Sequence, residues 1–319
     1  MRKWLKRIGV FLLFFFILLN FIAAFHAYKF AHFYDKKDIS EIGFGKRDIP
    51  GKLSFIFFGP KYPKSEITKR PGFKYIDTTI TSSDGFKLAA WQLRHDVTDS
   101  VIPKGTVILF HGATSCRSDL VEEIDAVYKM GWDVFTIDFR GNGESDGYTT
   151  TFSFHEIDDV KAAYDFIKAS GEKKIVLYGE SMGAATVLRA TALYKLDLYG
   201  IISDGAFGSL KEGVEGRIRT MGLPAEPIAN LICFWGSVEE WYWIFGIKPT
   251  EYAKKITCPI LIEWGSIDER VKRSEAELIY KNLASVNKKF IEYKGCGHES
   301  FYAKLPQEWV KNVSAFLNR

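Results

Sequence analysis

Ile175-Val176-Leu177-Tyr178-Gly179-Glu180-Ser181-Met182-Gly183-Ala184 is the stretch that decides the fold. Residues 175–178 form an apolar run of strand length, and residues 184–194 continue as a helix. Between them, Gly179 and Gly183 stand two residues to either side of Ser181. A strand that turns this sharply into a helix needs small residues at those two places, and it projects the serine Oγ above the sheet. A serine hydroxyl is a weak nucleophile until a base removes its proton. The helix N-terminus beneath it also favours developing negative charge. Gly-x-Ser-x-Gly occurs by chance in many chains. Its strand–turn–helix setting is what points to Ser181 as a nucleophile rather than a turn residue.

On either side of this stretch, strands and helices alternate. Residues 73–81 and 86–93 read as strands joined by Ser82-Ser83-Asp84-Gly85, a hairpin turn in which Gly supplies a positive φ. Thr106–Phe110 is a short apolar strand. Leu120, Ile124 and Val127 have helical spacing, Gly131 stops that helix, and residues 134–137 form the next strand. Ser153 with Glu156 reads as a capping box, opening a helix through Ile157, Val160, Tyr164 and Ile167 to Gly171. Residues 200–203, 260–264 and 290–293 are further strands, and Pro306 opens a C-terminal amphipathic helix. The alternation predicts the α/β class, with a mostly parallel central sheet and helices on both faces. In such sheets the active site lies at the carboxyl ends of the strands. Residues 206–250 break the alternation with Trp235, Trp241, Trp243 and several Phe. They read as a helical lid inserted over the site, with Trp241 and Trp243 placed to read an acyl chain. Ordinary helical packing on the flank of the sheet is the alternative.

Three more signals complete a site. His111-Gly112-Ala113-Thr114 follows the strand Thr106–Phe110. Acyl transfer places negative charge on the former carbonyl oxygen, and two backbone N–H groups stabilise it. Met182, next to the nucleophile, and Ala113 are placed to supply them, with His111 holding the loop. Asp268 lies in Gly265-Ser266-Ile267-Asp268, just past the strand 260–264. His298 lies in Gly295-Cys296-Gly297-His298, just past the strand 290–293. The chain order Ser, Asp, His suits this sheet. His298 takes the serine proton, and Asp268 orients the imidazole and stabilises its cation. The other histidines lack this loop setting. His26 and His32 lie in or beside an apolar N-terminal segment, His95 ends a hairpin, and His155 sits in a helix's first turn. Asp204, ending the strand 200–203, is a rival acid. The constellation suits cleavage of carboxylic esters or thioesters. A serine peptidase or amidase would share it, whereas a non-catalytic binding protein on the same scaffold would typically have lost one of its members.

Residues 8–27 are almost continuously apolar, with Gly9, Asn20 and His26 as soft spots. Twenty helical residues span about 30 Å, the thickness of a bilayer core. Arg2, Lys3, Lys6 and Arg7 precede the run, and Ala23-Ala24-Phe25-His26-Ala27 lacks a good small-x-small cleavage site. Residues 1–29 therefore read as an uncleaved transmembrane signal anchor. Four cations before the span, against Lys29, Lys36 and Lys37 after it, favour a cytoplasmic N-terminus and an extracytoplasmic catalytic domain. Residues 30–72 read as a connecting segment with Gly43, Gly45, Pro50, Gly51, Gly59, Pro60, Pro63 and Pro71, and with the apolar patch Phe55-Ile56-Phe57-Phe58. Residues 73–319 remain for the catalytic domain.

Composition narrows the classes. A chain of 319 residues buries roughly three quarters of its unfolded surface, so its core needs neither disulfide nor metal. Hydrophobic residues at 47% and charged residues at 26% are those of a globular protein. The net charge of +4 comes from scattered basic residues without a basic stripe, which argues against a nucleic-acid partner. Cys116, Cys233, Cys258 and Cys296 are far apart and read as plain buried thiols. No His, Asp or Cys cluster has ligand spacing, so neither a metal nor a cofactor is expected.

The chain from about residue 73 to 319 resembles the α/β-hydrolase superfamily. The resemblance rests on His111-Gly112, on Asp138-Phe139-Arg140-Gly141-Asn142-Gly143-Glu144-Ser145, on residues 179–183, and on Asp268 and Gly297-His298. The Asp-x-Arg-Gly-x-Gly-x-Ser loop is specific to that superfamily, where it is a structural turn near the site. Gly-Glu-Ser-Met-Gly on an anchored chain is similar to bacterial hydrolases near the Bem46-like and ABHD-type proteins. Glu180 stands where many esterases and lipases have His, a departure from the ordinary lipases. The resemblance implies a serine hydrolase acting on a small or lipid-like ester.

Overall fold

Apolar strands without polar alternation have to be covered on both faces, and the main sheet of this chain is covered in that way. The computed structural model describes residues 2–38, 49–59, 61–96 and 102–319. Gly43, Gly45 and Pro60 of the connecting segment, and the side chain of Phe55, lie outside the described residues.

A long helix α1 (Arg2–Ala31) opens the chain, followed by β1 (Phe33–Tyr34), α2 (Ile49–Phe58) and β2 (Tyr62–Pro63). β1 and β2 pair in parallel as a small separate sheet. The main sheet is built from β3 (Ile76–Thr81), β4 (Lys87–Leu93), β5 (Thr106–Phe110), β6 (Asp133–Ile137), β7 (Ile175–Glu180), β8 (Gly200–Asp204), β9 (Ile260–Gly265) and β10 (Lys288–Tyr293). Its order is β10-β9-β8-β7-β5-β6-β4-β3. The hairpin β3–β4 is antiparallel, β4 meets β6 antiparallel, and the remaining pairs are parallel. α4 (Glu156–Ala169), α5 (Met182–Tyr194) and α9 (Arg273–Asn282) cover one face, where Val160, Val187, Leu188 and Ile279 meet Ile108 and Leu177. α3 (Val121–Lys129) and α10 (Pro306–Leu317) cover the other, with Ile124, Val127, Trp309 and Val313 against Leu109 and Tyr178.

Two local expectations need correction. Ser153 does not cap α4. It has φ +88°, far from the extended backbone an N-cap residue adopts, and its Oγ makes no hydrogen bond. Glu156 nonetheless accepts from the Ser153 N–H at 2.8 Å, and it also holds Thr150 and Thr151. The patch Ile56-Phe57-Phe58 belongs to a helix, α2, which the proline and glycine at its start concealed.

The segment 206–250 is helical, with α6 (Leu210–Thr220), α7 (Ile228–Glu239) and the short α8 (Pro249–Tyr252). α6 and α7 pack against the last turns of α1, where Ala23, Ala27 and Phe30 join Ile218, Ala229 and Ile232 in one apolar cluster. Two of the three soft spots in the apolar run, Asn20 and His26, mark contacts of α1 with other helices. Asn20 Oδ1 accepts from Trp235 Nε1 at 3.0 Å, and His26 Nε2 lies 2.8 Å from the Ile56 carbonyl. Backbone bonds Phe33 N–H to Tyr148 O (2.7 Å) and Thr150 N–H to Ala31 O (2.9 Å) tie the end of α1 to the domain. Residues 4–17, by contrast, are exposed all round, and α1 is long and apolar enough to cross a membrane.

The Asp138–Ser145 loop anchors the sheet's carboxyl edge. Gly141, at φ +76°, runs so close to the chain that an added Cβ would lie 2.1 Å from Thr149 O. Buried Arg140 forks onto buried Asp159 (2.6 Å) and onto Asp84 of the hairpin turn (2.6 Å). Arg140→Met should strand the Asp159 carboxylate in the core. A loss of about 3–5 kcal/mol in urea unfolding is expected, and a loss under 1 kcal/mol would show that the fork is not structural.

Candidate active site

The elbow predicted around Ser181 is formed by steric necessity. A Cβ on Gly179 would lie 2.5 Å from Gly183 C, and one on Gly183 would lie 2.3 Å from Phe110 O. With both positions bare, the end of β7, the start of α5 and the end of β5 close on one another. Ser181, at the N-cap of α5, is held at φ 51° and ψ −111°, a conformation rare outside glycine.

His298 reaches the same point from the loop after β10. Its Nε2 lies 2.8 Å from Ser181 Oγ, and its Nδ1 lies 2.8 Å from Asp268 Oδ2. Asp268 is itself fixed, since its Oδ1 accepts from the N–H groups of Arg270 (2.7 Å) and Val271 (2.8 Å). The carboxylate thus keeps one oxygen for the imidazole, which sets the proton on Nδ1 and leaves Nε2 free to accept from the serine. Asp204 takes another place. It is buried at the end of β8, receives the Tyr178 hydroxyl at 2.9 Å, and presents its backbone carbonyl to the Ser181 N–H at 2.7 Å. Burial, reinforced by Glu263 and Glu180, pushes its carboxyl well above the usual range.

Ala113 and Met182 line the cavity with Ser181 and His298. Met182 is the first residue of α5, so its N–H has no acceptor within the helix. His111 is buried behind the loop. It donates from Nδ1 to the Gly112 carbonyl (2.7 Å) and accepts the Phe139 N–H on Nε2 (2.9 Å), and burial pushes its pKa down, so it stays neutral. Glu180 also lines the cavity. Burial, with Glu123 and Asp119 adding, pushes its carboxyl up to about 7.

The cavity measures about 170 Å³. Its apolar wall comes from Phe207, Leu210, Val214 and Ile232, and from Ala27 and Phe30 of α1. Trp241 and Trp243 are not part of it; they are 93% and 61% exposed. The tryptophan content of the segment had suggested otherwise, but composition does not say which way a helix faces. Phe30, Arg217 and Arg270 line the cavity without any sequence motif to announce them. The signal available for Phe30 was the pair of polar interruptions in the apolar run. One surface group, Asp84, His155 and Asp158, brings three possible metal ligands within 4.8 Å of one another. Asp84 there is already held by Arg140, and Asp158 takes the Tyr194 hydroxyl.

Known proteins share the fold. The family described as serine aminopeptidase, S33, matches residues 102–238. The Pyrococcus furiosus esterase Pf2001 superposes with a TM-score of 0.66 at 26% identity, covering 81% of this chain and 99% of that one. The chain has the α/β-hydrolase fold. Its relatives are Bem46-like: the hydrolase is 26% identical to bem46 of Schizosaccharomyces pombe over 60% of its own length and 61% of that protein. It is 26% identical to YqkD of Bacillus subtilis over 82% of its own length and 90% of that protein. In this hydrolase, Gly183→Ala should force the elbow apart. A destabilisation of about 1–3 kcal/mol is expected in thermal unfolding, and an unchanged midpoint would mean that Phe110 O has room to retreat.

Proposed function

We propose that the chain hydrolyses carboxylic esters or thioesters through an acyl-enzyme on Ser181. The observation that carries this reading is the unbroken hydrogen-bonded chain from Asp268 through His298 to Ser181. Ser181 Oγ attacks the carbonyl carbon while His298 Nε2 takes its proton. The oxyanion accepts from the N–H groups of Ala113 and Met182. The intermediate collapses, the leaving oxygen or sulfur departs with the proton from His298, and water deacylates the serine by the same route. Asp268 holds the imidazole and stabilises its cation. Hydrolysis of peptide bonds is the second reading, favoured by the aminopeptidase description of the matching family. The cavity wall speaks for esters, because most of it is apolar.

Residues 206–250 act in this reading as a lid shared with α1, which anchors the chain in a membrane with the catalytic domain on the extracytoplasmic side. An apolar acyl chain then lies against Phe30, Val214 and Ile232, close to where it would leave the bilayer.

Ser181→Ala should abolish ester turnover and labelling by a fluorophosphonate while leaving the unfolding midpoint in place. Asp268→Asn should lower kcat on the order of ten-thousand-fold, and Asp204→Asn should lower it far less. A reversed ranking would move the orienting role to Asp204. The acyl wall is read by p-nitrophenyl esters from acetyl to octanoyl. kcat/KM is expected to rise by up to about fourfold per methylene, as burial at about 0.8 kcal/mol per CH₂ gives. Phe30→Ala should flatten the rise, and the Trp241→Ala/Trp243→Ala double variant should keep it; the opposite pattern would place the chain on the outer face of the lid.

A further inference from the structure

A buried cation costs free energy unless an anion or a set of hydrogen bonds compensates it. Most buried guanidinium groups here are compensated. Arg140 forks onto Asp159 and Asp84, Arg117 is held by Asp138 and Glu144, and Arg189 donates to the carbonyls of Ser153 and Phe154. Arg217, which is half-buried, differs. It leaves α6 into the wall of the cavity that holds Ser181 and His298. Its guanidinium faces aromatic rings, with Phe30 at 5.9 Å and Tyr62 at 5.2 Å from the ring centroids. Its hydrogen bond is a long one, from Nη2 to Thr114 Oγ1 at 3.4 Å, one residue beyond Ala113.

A second guanidinium shares the wall. Gly216 packs so closely on the Arg270 backbone that a Cβ would lie 2.1 Å from Arg270 O, so Arg217 and Arg270 leave neighbouring points of the surface. Among the described residues no carboxylate lies within ion-pair distance of either guanidinium. The cavity's own acids form no ion pair with them. Glu240 faces His32 at 3.9 Å, and burial pushes the Glu180 carboxyl up to about 7, with the charge of Arg270 drawing it part of the way back. Burial, with the charge of Arg270, pushes the Arg217 pKa down, yet a guanidinium stays charged in any protein. Half-buried Arg217 thus stands without an ion pair beside the candidate nucleophile, with the exposed Arg270 next to it.

We propose that Arg217, with Arg270 beside it, is a subsite for an anionic oxygen group on the substrate. The ester taken by this site is then an anionic amphiphile. Its acyl chain lies on the apolar wall, and a phosphate or carboxylate is gripped by the planar fork of Arg217, which suits two-point binding of either. The rings of Phe30 and Tyr62 flank that fork, so the end of α1 borders the residue that reads the charge. The assignment of an ester substrate rests on the proposed function above.

The test compares 1-octanoylglycerol 3-phosphate with 1-octanoylglycerol, on the full-length chain in detergent. The phosphate ester is expected to have the higher kcat/KM by about tenfold or more, mostly through KM. In Arg217→Gln that ratio should fall about tenfold, and Arg217→Lys, which keeps the charge, should restore part of it. A ratio of one or below in the wild type, or one that Arg217→Gln leaves unchanged, overturns the subsite while the ester reading stands. Calorimetric titration with octyl phosphate reads the subsite without turnover. It should bind Arg217→Gln about tenfold more weakly than wild type. Equal binding to both overturns the proposal even if neither ester is cleaved, an outcome that would separately sink the ester reading. Competition by inorganic phosphate as strong as by octyl phosphate would show a site for the free ion, and would overturn the amphiphile.

Discussion

The carbonyl oxygen of Phe110 leaves no space for a side chain at position 183, and most of the site follows from that closeness. Because the start of α5 presses on the end of β5, the turn between β7 and α5 has one way to close. Ser181 is then driven to a positive φ, at a cost of about 1–3 kcal/mol that the surrounding sheet must carry. The same contact brings the loop after β5 alongside the serine, so that Ala113 and Met182 border one cavity. His111 fixes that loop from behind in a single tautomer. The hydrogen-bonded chain to Asp268 is completed from the far half of the sheet, two loops that meet only because β8, β9 and β10 add in parallel beside β7.

Much of this was legible in the sequence because it is local. A glycine pair around a serine, a short apolar run and a loop residue just past a strand are properties of ten consecutive residues. They place Ser181, Asp268 and His298 at strand ends without any knowledge of the packing. The choice between Asp268 and Asp204 was harder, since both end strands of the same sheet. Distance to His298 separates them, and distance depends on the register of β8 against β9, which no motif encodes. The capping reading of Ser153 went wrong for a related reason. The pair has the right spacing, but the positive φ of Phe152 and Ser153 turns the hydroxyl away from the helix.

The segment over the cavity was the least readable. Its helices were foreseeable, but their facing was not, and the two tryptophans that dominate its composition point outward. What closes the cavity comes instead from α1, about two hundred residues away in the chain from its partners on α6 and α7. Long-range contacts of that kind leave little trace in a single sequence. The trace here was Asn20 and His26, polar residues that a helix surrounded entirely by lipid would have no use for. Each makes a hydrogen bond to another helix, α7 and α2 respectively. An interruption in an apolar span is thus informative about where the span stops being lipid-facing.

The clamp between α1 and α7 also changes how the molecule would stand on a membrane. A domain joined to its anchor by a loose linker swings like a dog on a leash, and its active site samples every direction. Here the anchor is gripped by the domain from Asn20 onward, leaving residues 4–17, about 21 Å of helix, exposed on every side. With α1 across a bilayer, as proposed, that length falls short of a hydrocarbon core of about 30 Å. The helix then acts as a post rather than a leash, and the α7 flank is drawn down against the headgroups. The cavity keeps one compass bearing relative to the bilayer, and its encounters with lipid-borne molecules become collisions in a plane.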